Sequence, residues 1–125
     1  MNYLLDAHVF LRMLAAPDLL SAKARAVIQN PVRSIYVSAV TAVEIAVKTG
    51  IGKLEAPGNL REELQGRGLR ELPLRYCHGE RLQTLSPHHA DPFDRMLIAQ
   101  AAEENLTIIT HDKKFEPYPV SILWT

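Results

Sequence analysis

The sequence predicts an α/β protein organised around a mostly parallel sheet. Short apolar runs alternate with segments of helical period, and the runs Asn2-Tyr3-Leu4-Leu5, Ile35-Tyr36-Val37 and Leu106 to Thr110 are continuous, as strands buried on both faces are. Strands alternating with helices in one chain imply βαβ units with helices on both faces of the sheet. With 125 residues, the chain is read as a single domain over 1–125 with enough length to bury a core.

The first strand halts at Asp6, after which Val9, Phe10, Met13 and Leu14 recur at helical spacing until Pro17. Ser21 caps a second short helix from Ala22 to Ile28, ended by Asn30-Pro31. After the strand Ile35 to Val37, Ser38 starts a longer helix with Val40, Val43, Val47 and Ile51 on one stripe, stopped around Gly50 and Gly52. Leu60 and Leu64 indicate a helix ending at Gly66 or Gly68, followed by a short strand within Leu69 to Leu74 that Pro73 interrupts. Arg75 to Leu85 reads as helical with Leu82 and Leu85 inward. Asp91-Pro92 is a strong helix start, since Asp is a favoured cap and Pro fits the first helical position, and that helix runs to about Glu104. The strand Leu106 to Thr110 ends near Asp112, and a last apolar run, Val120 to Trp124, follows Pro117-Tyr118-Pro119.

Composition narrows the function classes. Lys and Arg total 14 against 14 for Asp and Glu, so a nucleic-acid partner would have to be met by a local basic patch rather than by bulk charge. Cys77 is the single cysteine, which excludes an internal disulfide and a thiolate zinc cage and fits a reducing cytoplasm. The N-terminus reaches Asp6 too early for a secretory apolar region, and no apolar stretch approaches membrane-spanning length, so the expectation is a soluble cytoplasmic protein with no membrane partner.

The chemistry is concentrated in Asp6, Glu44, Asp94 and Asp112, each set in apolar sequence where a strand ends or a helix begins. Each has an ordinary structural explanation. Asp6 and Asp112 suit helix caps, Asp94 gains from the helix dipole in a first turn, and Thr41-Ala42-Val43-Glu44 matches a capping box. Ser38 is the better cap for that helix, and Glu44 shares a side with Val40, Val47 and Ile51, where a solvated Glu would not sit. All four at one predicted end of the sheet, where such folds bind their ligands, point to a divalent cation held by oxygen ligands. Carboxylates crowded into one pocket repel, and a cation relieves this; hard ligands favour Mg²⁺ or Mn²⁺, and phosphodiester chemistry is the commonest use of such a cluster. Asp91, at i−3 from Asp94, is assigned to capping and left outside the set.

Rival sites are weaker. Cys77-His78 and His88-His89 with Asp91 match no zinc spacing. His8 and His111 flank the acids and are assigned to packing or hydrogen bonding ahead of proton transfer. There is no phosphate-binding loop, dinucleotide fingerprint or nucleophile elbow, and an aspartyl phosphatase would want a second Asp where the chain has His8.

The segments Tyr3-Leu4-Leu5-Asp6-Ala7-His8, Ser38 to Ile45, Asp91-Pro92-Phe93-Asp94-Arg95-Met96-Leu97-Ile98-Ala99-Gln100-Ala101 and Thr107 to Asp112, in that order, resemble a PIN-domain ribonuclease of the VapC toxin type over nearly the whole chain. The resemblance implies a three-layer α/β/α sandwich with a central parallel sheet, Mg²⁺-dependent endonucleolytic cleavage of RNA, a cognate antitoxin that occludes the site, and a homodimer. Carried over by position, Asp6, Glu44, Asp94 and Asp112 are the metal-binding and catalytic acids, with Thr110 and Ser38 as supporting hydroxyls. The chain departs from the family at Ala7, where members often carry a hydroxyl; such a lost supporting contact costs roughly 10 to 100-fold in metal affinity or activity. Lys48, Lys53 and Arg95 are the first residues to examine for RNA contact, with Lys48 at i+4 from Glu44 equally suited to pairing with that acid. The alternative to a nuclease is a PIN-like module that binds RNA or protein without cutting.

Overall fold

A computed structural model describes residues 1–125. Five strands form one sheet in the order β3-β2-β1-β4-β5, with every neighbouring pair parallel. The chain runs through β1 (Asn2–Leu5), α1 (Ala7–Ala15), α2 (Ala22–Gln29), β2 (Ser34–Ser38), α3 (Ala39–Gly50), α4 (Leu60–Gly66) and β3 (Arg70–Leu72). It then crosses back through α5 (Tyr76–Thr84) and α6 (Pro92–Glu104) to β4 (Thr107–Thr110) and β5 (Ile122–Trp124). The chain therefore winds outward from β1 in one direction, returns, and winds in the other. The reversal falls between β1 and β4, which pair Leu4 with Ile108 and Leu5 with Ile109.

Side-chain alternation along the strands divides the core in two. Tyr3, Leu5, Ile35, Val37 and Ile109 face Val9, Phe10, Met13, Leu20 and Ala24 on one side, while Leu4 and Ile108 face Leu97, Ile98, Ala101, Phe115 and Tyr118 on the other. Both faces are covered, so the strands are continuously apolar rather than alternating. This is the α/β/α layering expected from the sequence.

Most helix starts follow from local chemistry. Asp6, Ser21, Ser38 and Asp91 each accept a backbone N–H of the first turn, and Pro92 occupies the first position of α6. Asn105 ends α6 with φ 55°, a left-handed conformation Asn tolerates and one that turns the chain straight into β4.

Two expectations change. The buried side of α3 is Val40, Thr41, Glu44 and Ile45, whereas Val43, Val47 and Ile51 are exposed. At about 100° per residue, Val43 falls well outside the arc carrying Val40, Thr41, Glu44 and Ile45, Val47 lies at its edge beside Val40 but two turns further along, and Ile51 lies past the helix end, so a stripe drawn through every valine runs along the margin of the buried face. In α5 the buried residue is His78 and Leu82 is only half-buried, while Leu85, just past the helix end, packs half-buried against the core as expected. His78 is inward because its ring closes a polar chain: Nδ1 accepts the Arg75 N–H at 2.9 Å and Nε2 lies 3.2 Å from Glu104. The third strand stops before Pro73, which lacks the N–H needed to extend it.

Leu97 is fully buried at the centre of the α6 layer. Its replacement by Ala is expected to cost about 2–5 kcal/mol by denaturant unfolding, through lost burial and a residual cavity.

Candidate metal centre at the carboxyl end of the sheet

Asp6 directly follows β1 and is 2% exposed. One carboxylate oxygen accepts the Val9 N–H at 2.7 Å, which starts α1, and the other accepts the Thr110 hydroxyl from the end of β4. Burial pushes the Asp6 carboxyl above its usual range, and the Thr110 and Val9 bonds, then the nearby His8 and His111, oppose that push. His8 and His111 lie edge to face, ring centres 6.0 Å apart, outside the cluster of acids. Ala7 brings no hydroxyl, yet both Asp6 oxygens already have donors.

Glu44 projects from α3 and is 3% exposed. Lys48, one turn on, pairs with Oε2 at 2.6 Å, and Oε1 is buried with no hydrogen-bond partner. The capping-box reading of Glu44 is not realised: Ser38 caps α3 by accepting the Val40 N–H, and its hydroxyl donates to Gln100 Oε1 at 2.5 Å. Bonding to Glu44 raises the Lys48 pKa, so Lys48 stays charged at neutral pH.

The N-terminus of α6 supplies the rest. Asp91 Oδ1 accepts the Phe93 and Asp94 N–H groups. Asp91 is nonetheless more than a cap, because ligand atoms of Glu44, Asp91 and Asp94 lie within 4.8 Å of one another. A second triplet of the same size, His89, Asp94 and Asp112, shares Asp94 with the first. Asp94 is thus the hinge of the cluster. Its pKa is raised to about 7, by burial first and then by Asp91, Glu44, Asp6 and Asp112. Asp112 Oδ1 accepts the Lys114 N–H, and the Asp112 N–H donates to the Thr110 hydroxyl, so Thr110 links Asp112 to Asp6.

The four acids singled out in the sequence therefore converge beyond the strand ends, but unequally. Asp94 sees all the others, Glu44 and Asp112 join different triplets, and Asp6 is in neither, acting on Asp94 as a neighbouring charge. Asp91 and His89 join them. Asp91 was legible as the i−3 neighbour of Asp94, whereas His89 sits in a loop and nothing in its local sequence gives its position. Lys53 lines a shallow cleft with His8, Glu44 and Lys48. Arg95 turns away from the acids, donating to the Ser86 carbonyl at 2.9 Å and the Tyr118 hydroxyl at 3.1 Å.

A doubly wound parallel sheet with clustered carboxylates at its switch point places this chain among α/β proteins whose ligand sites lie beyond the carboxyl ends of the strands. The PIN domain model matches residues 3–120, and the chain belongs to the PIN domain family. No curated protein matches significantly. Among solved structures, the chain is similar to VapBC2 from Rickettsia felis bound to a promoter DNA fragment, with TM-score 0.74 and 17% identity, covering 99% of this chain and 98% of that one. It is also similar to DNA-bound VapBC from Salmonella typhimurium, with TM-score 0.70 and 18% identity over 99% and 98%. VapBC-5 from Mycobacterium tuberculosis gives TM-score 0.60 and 20% identity over 98% and 96%.

The donors suit a hard divalent ion. Glu44, Asp91 and Asp94 offer only carboxylate oxygens, and the unpartnered Glu44 Oε1 is a buried acceptor that a cation would satisfy.

In the metal-free protein the folded state retains the Asp94 proton up to about pH 7, whereas an unfolded Asp releases it near 3.8. Between those values the folded state binds more protons, so metal-free stability is expected to fall as pH rises through that window. Melting temperature in EDTA should drop between pH 5 and pH 8, Asp94→Asn should flatten the drop, and Mg²⁺ or Mn²⁺ should restore stability at pH 8. A melting temperature that rises across the window would contradict the electrostatic account.

Proposed function

We propose that this protein is a metal-dependent endoribonuclease and the toxin of a toxin–antitoxin pair. The observation that carries the reading is the buried, unpartnered oxygen of Glu44, a residue grouped with Asp91 and Asp94 in a cluster where burial first and neighbouring charges second raise Asp94. Membership of the PIN domain family and likeness to structures of VapBC complexes support it. Mg²⁺, with Mn²⁺ as substitute, is the cofactor proposed, held by Glu44, Asp94 and Asp91 with Asp6 and Asp112 completing the acidic wall.

When bound, a divalent ion polarises a phosphoryl oxygen and brings a water toward hydroxide at neutral pH. The chain's own residues prepare that chemistry. Asp6 is immobilised by Val9 and Thr110, so it presents a fixed charge at the site. Asp94, raised by burial and by its acidic neighbours in the metal-free chain, is the carboxylate whose ionisation a bound cation would most favour. Lys48 holds Glu44 in place, and Lys53 on the adjacent cleft offers a cation to an RNA phosphate.

The partner proposed is a cognate antitoxin, as in the VapBC structures, and the exposed Val43, Val47 and Ile51 on α3 form an apolar face suited to protein contact, including a homodimer. No helix is long and apolar enough to cross a membrane, and the single thiol suits a cytoplasmic setting.

Purified protein incubated with total cellular RNA and Mg²⁺ or Mn²⁺ is expected to give discrete fragments that vanish in EDTA. Asp6→Asn and Asp94→Asn should stay folded and lose at least about 100-fold in cleavage rate, the scale of removing an electrostatic group from such a site. Undiminished cleavage in either variant would remove the mechanism, and RNA binding that ignores EDTA without cleavage would make the protein a binding module instead.

A further inference from the structure

We propose that His89 is a positioning residue: a locked Nε2–H donor that orients Asp94 for a cation without being a ligand itself. The inference deepens the metal-site reading above and rests on it. His89 lies on the loop between α5 and α6, its side chain 5% exposed, with the ring edge to face against Phe115 at 5.9 Å. The loop is pinned from outside. The His89 N–H donates to the Tyr118 hydroxyl at 2.8 Å, and Arg95 donates to that hydroxyl and to the Ser86 carbonyl.

The ring's tautomer follows from its own contacts. Nδ1 accepts the Asp91 N–H at 3.2 Å, and a ring nitrogen that accepts cannot carry the proton. The proton of the neutral ring therefore sits on Nε2, 2.9 Å from Asp94 Oδ2 and 4.0 Å from Asp112 Oδ2. A nitrogen bearing a proton has no free lone pair in the ring plane for a cation. Although His89, Asp94 and Asp112 have ligand-like separations, the imidazole belongs to them as a donor.

The Nε2–H is buried and off the line of a full hydrogen bond to either carboxylate. An unpartnered buried donor is costly, so it favours whichever rotation of Asp94 brings an oxygen onto it. That rotation fixes one Asp94 oxygen and leaves the other for the Glu44 and Asp91 side of the cluster. His89 thus couples the two triplets through the residue they share, and the same Asp91 whose carboxylate faces Glu44 sets the His89 tautomer with its backbone.

The test is Mn²⁺ binding by calorimetry to the full chain, with Asp94→Asn as the ligand control. His89→Phe keeps the ring against Phe115 but lacks the donor, and is expected to weaken Mn²⁺ binding 10 to 100-fold, the scale of a lost supporting contact. His89→Gln places an amide N–H near the Nε2 position and should recover affinity to within about threefold of the natural chain. Long-range ¹H–¹⁵N spectra of the natural protein, alone and with Mg²⁺, should show His89 protonated on Nε2 in both. The inference is overturned by unchanged affinity in His89→Phe, by no recovery in His89→Gln, or by a ring whose proton sits on Nδ1. If the natural chain itself binds no Mn²⁺, the metal-site reading fails and this one with it; normal binding with indifferent His89 variants overturns this one alone.

Discussion

Asp6 is held from two directions, by the Val9 N–H of the helix that follows it and by the Thr110 hydroxyl of the neighbouring strand, and this pair of bonds joins the two halves of the molecule. β1 and β4 are adjacent in the sheet yet separated by a hundred residues of winding, and the register that sets Leu5 beside Ile109 is what brings Thr110 to Asp6. A carboxylate this deeply buried is costly without donors. Hydrogen bonds on both oxygens offset that cost, and the charge faces the switch point rather than the core. Asp112 follows from the same contact, because its N–H bonds the Thr110 oxygen that serves Asp6.

Around that fixed charge the fold uses its acids twice. Asp6, Asp91 and Asp112 each give one oxygen to a backbone N–H at the start of a helical turn, which stabilises the local structure whatever else the residue does. The helix starts point the acids toward one another because all three elements begin at the carboxyl end of the sheet. Capping and ligation are therefore not rival explanations here. Asp94 bears the electrostatic consequence: it caps nothing, and it lies where the fields of the other acids add. An ionised acid there opposes folding of the metal-free chain, a conflict of the kind that clusters at functional sites.

What the sequence disclosed follows the range of the forces involved. Strands buried on both faces are continuous apolar runs, and caps are set by one or two residues, so the sheet, its helix starts and the four acids were legible from short windows. The face of α3 was not. Val43 and Val47 are as apolar as Val40, and which arc turns inward depends on the two core layers that α3 bridges, where Val40 joins one and Ile45 the other. His89 was hidden for a similar reason. Its position depends on Tyr118 and Arg95, residues 29 and 6 positions away that pin its loop, and the sequence, which leaves Arg95 open between RNA contact and a helix-surface or dimer role, does not point to that pinning.

Lys48 closes the electrostatic argument. Its ammonium pairs with Glu44 Oε2, within the field of Asp91 and Asp94 as well, and its charge is secured by that contact. Fully ionised, the triplet of Glu44, Asp91 and Asp94 together with Lys48 leaves two negative charges, which a divalent cation neutralises and a monovalent one does not. Without Lys48 the pocket would attract a cation more strongly but would also repel any anionic group that the proposed function brings to that cation. The i+4 lysine thus lowers the excess charge at the acids while leaving the Glu44 Oε1 free, the balance that the proposed divalent ion and phosphate would require.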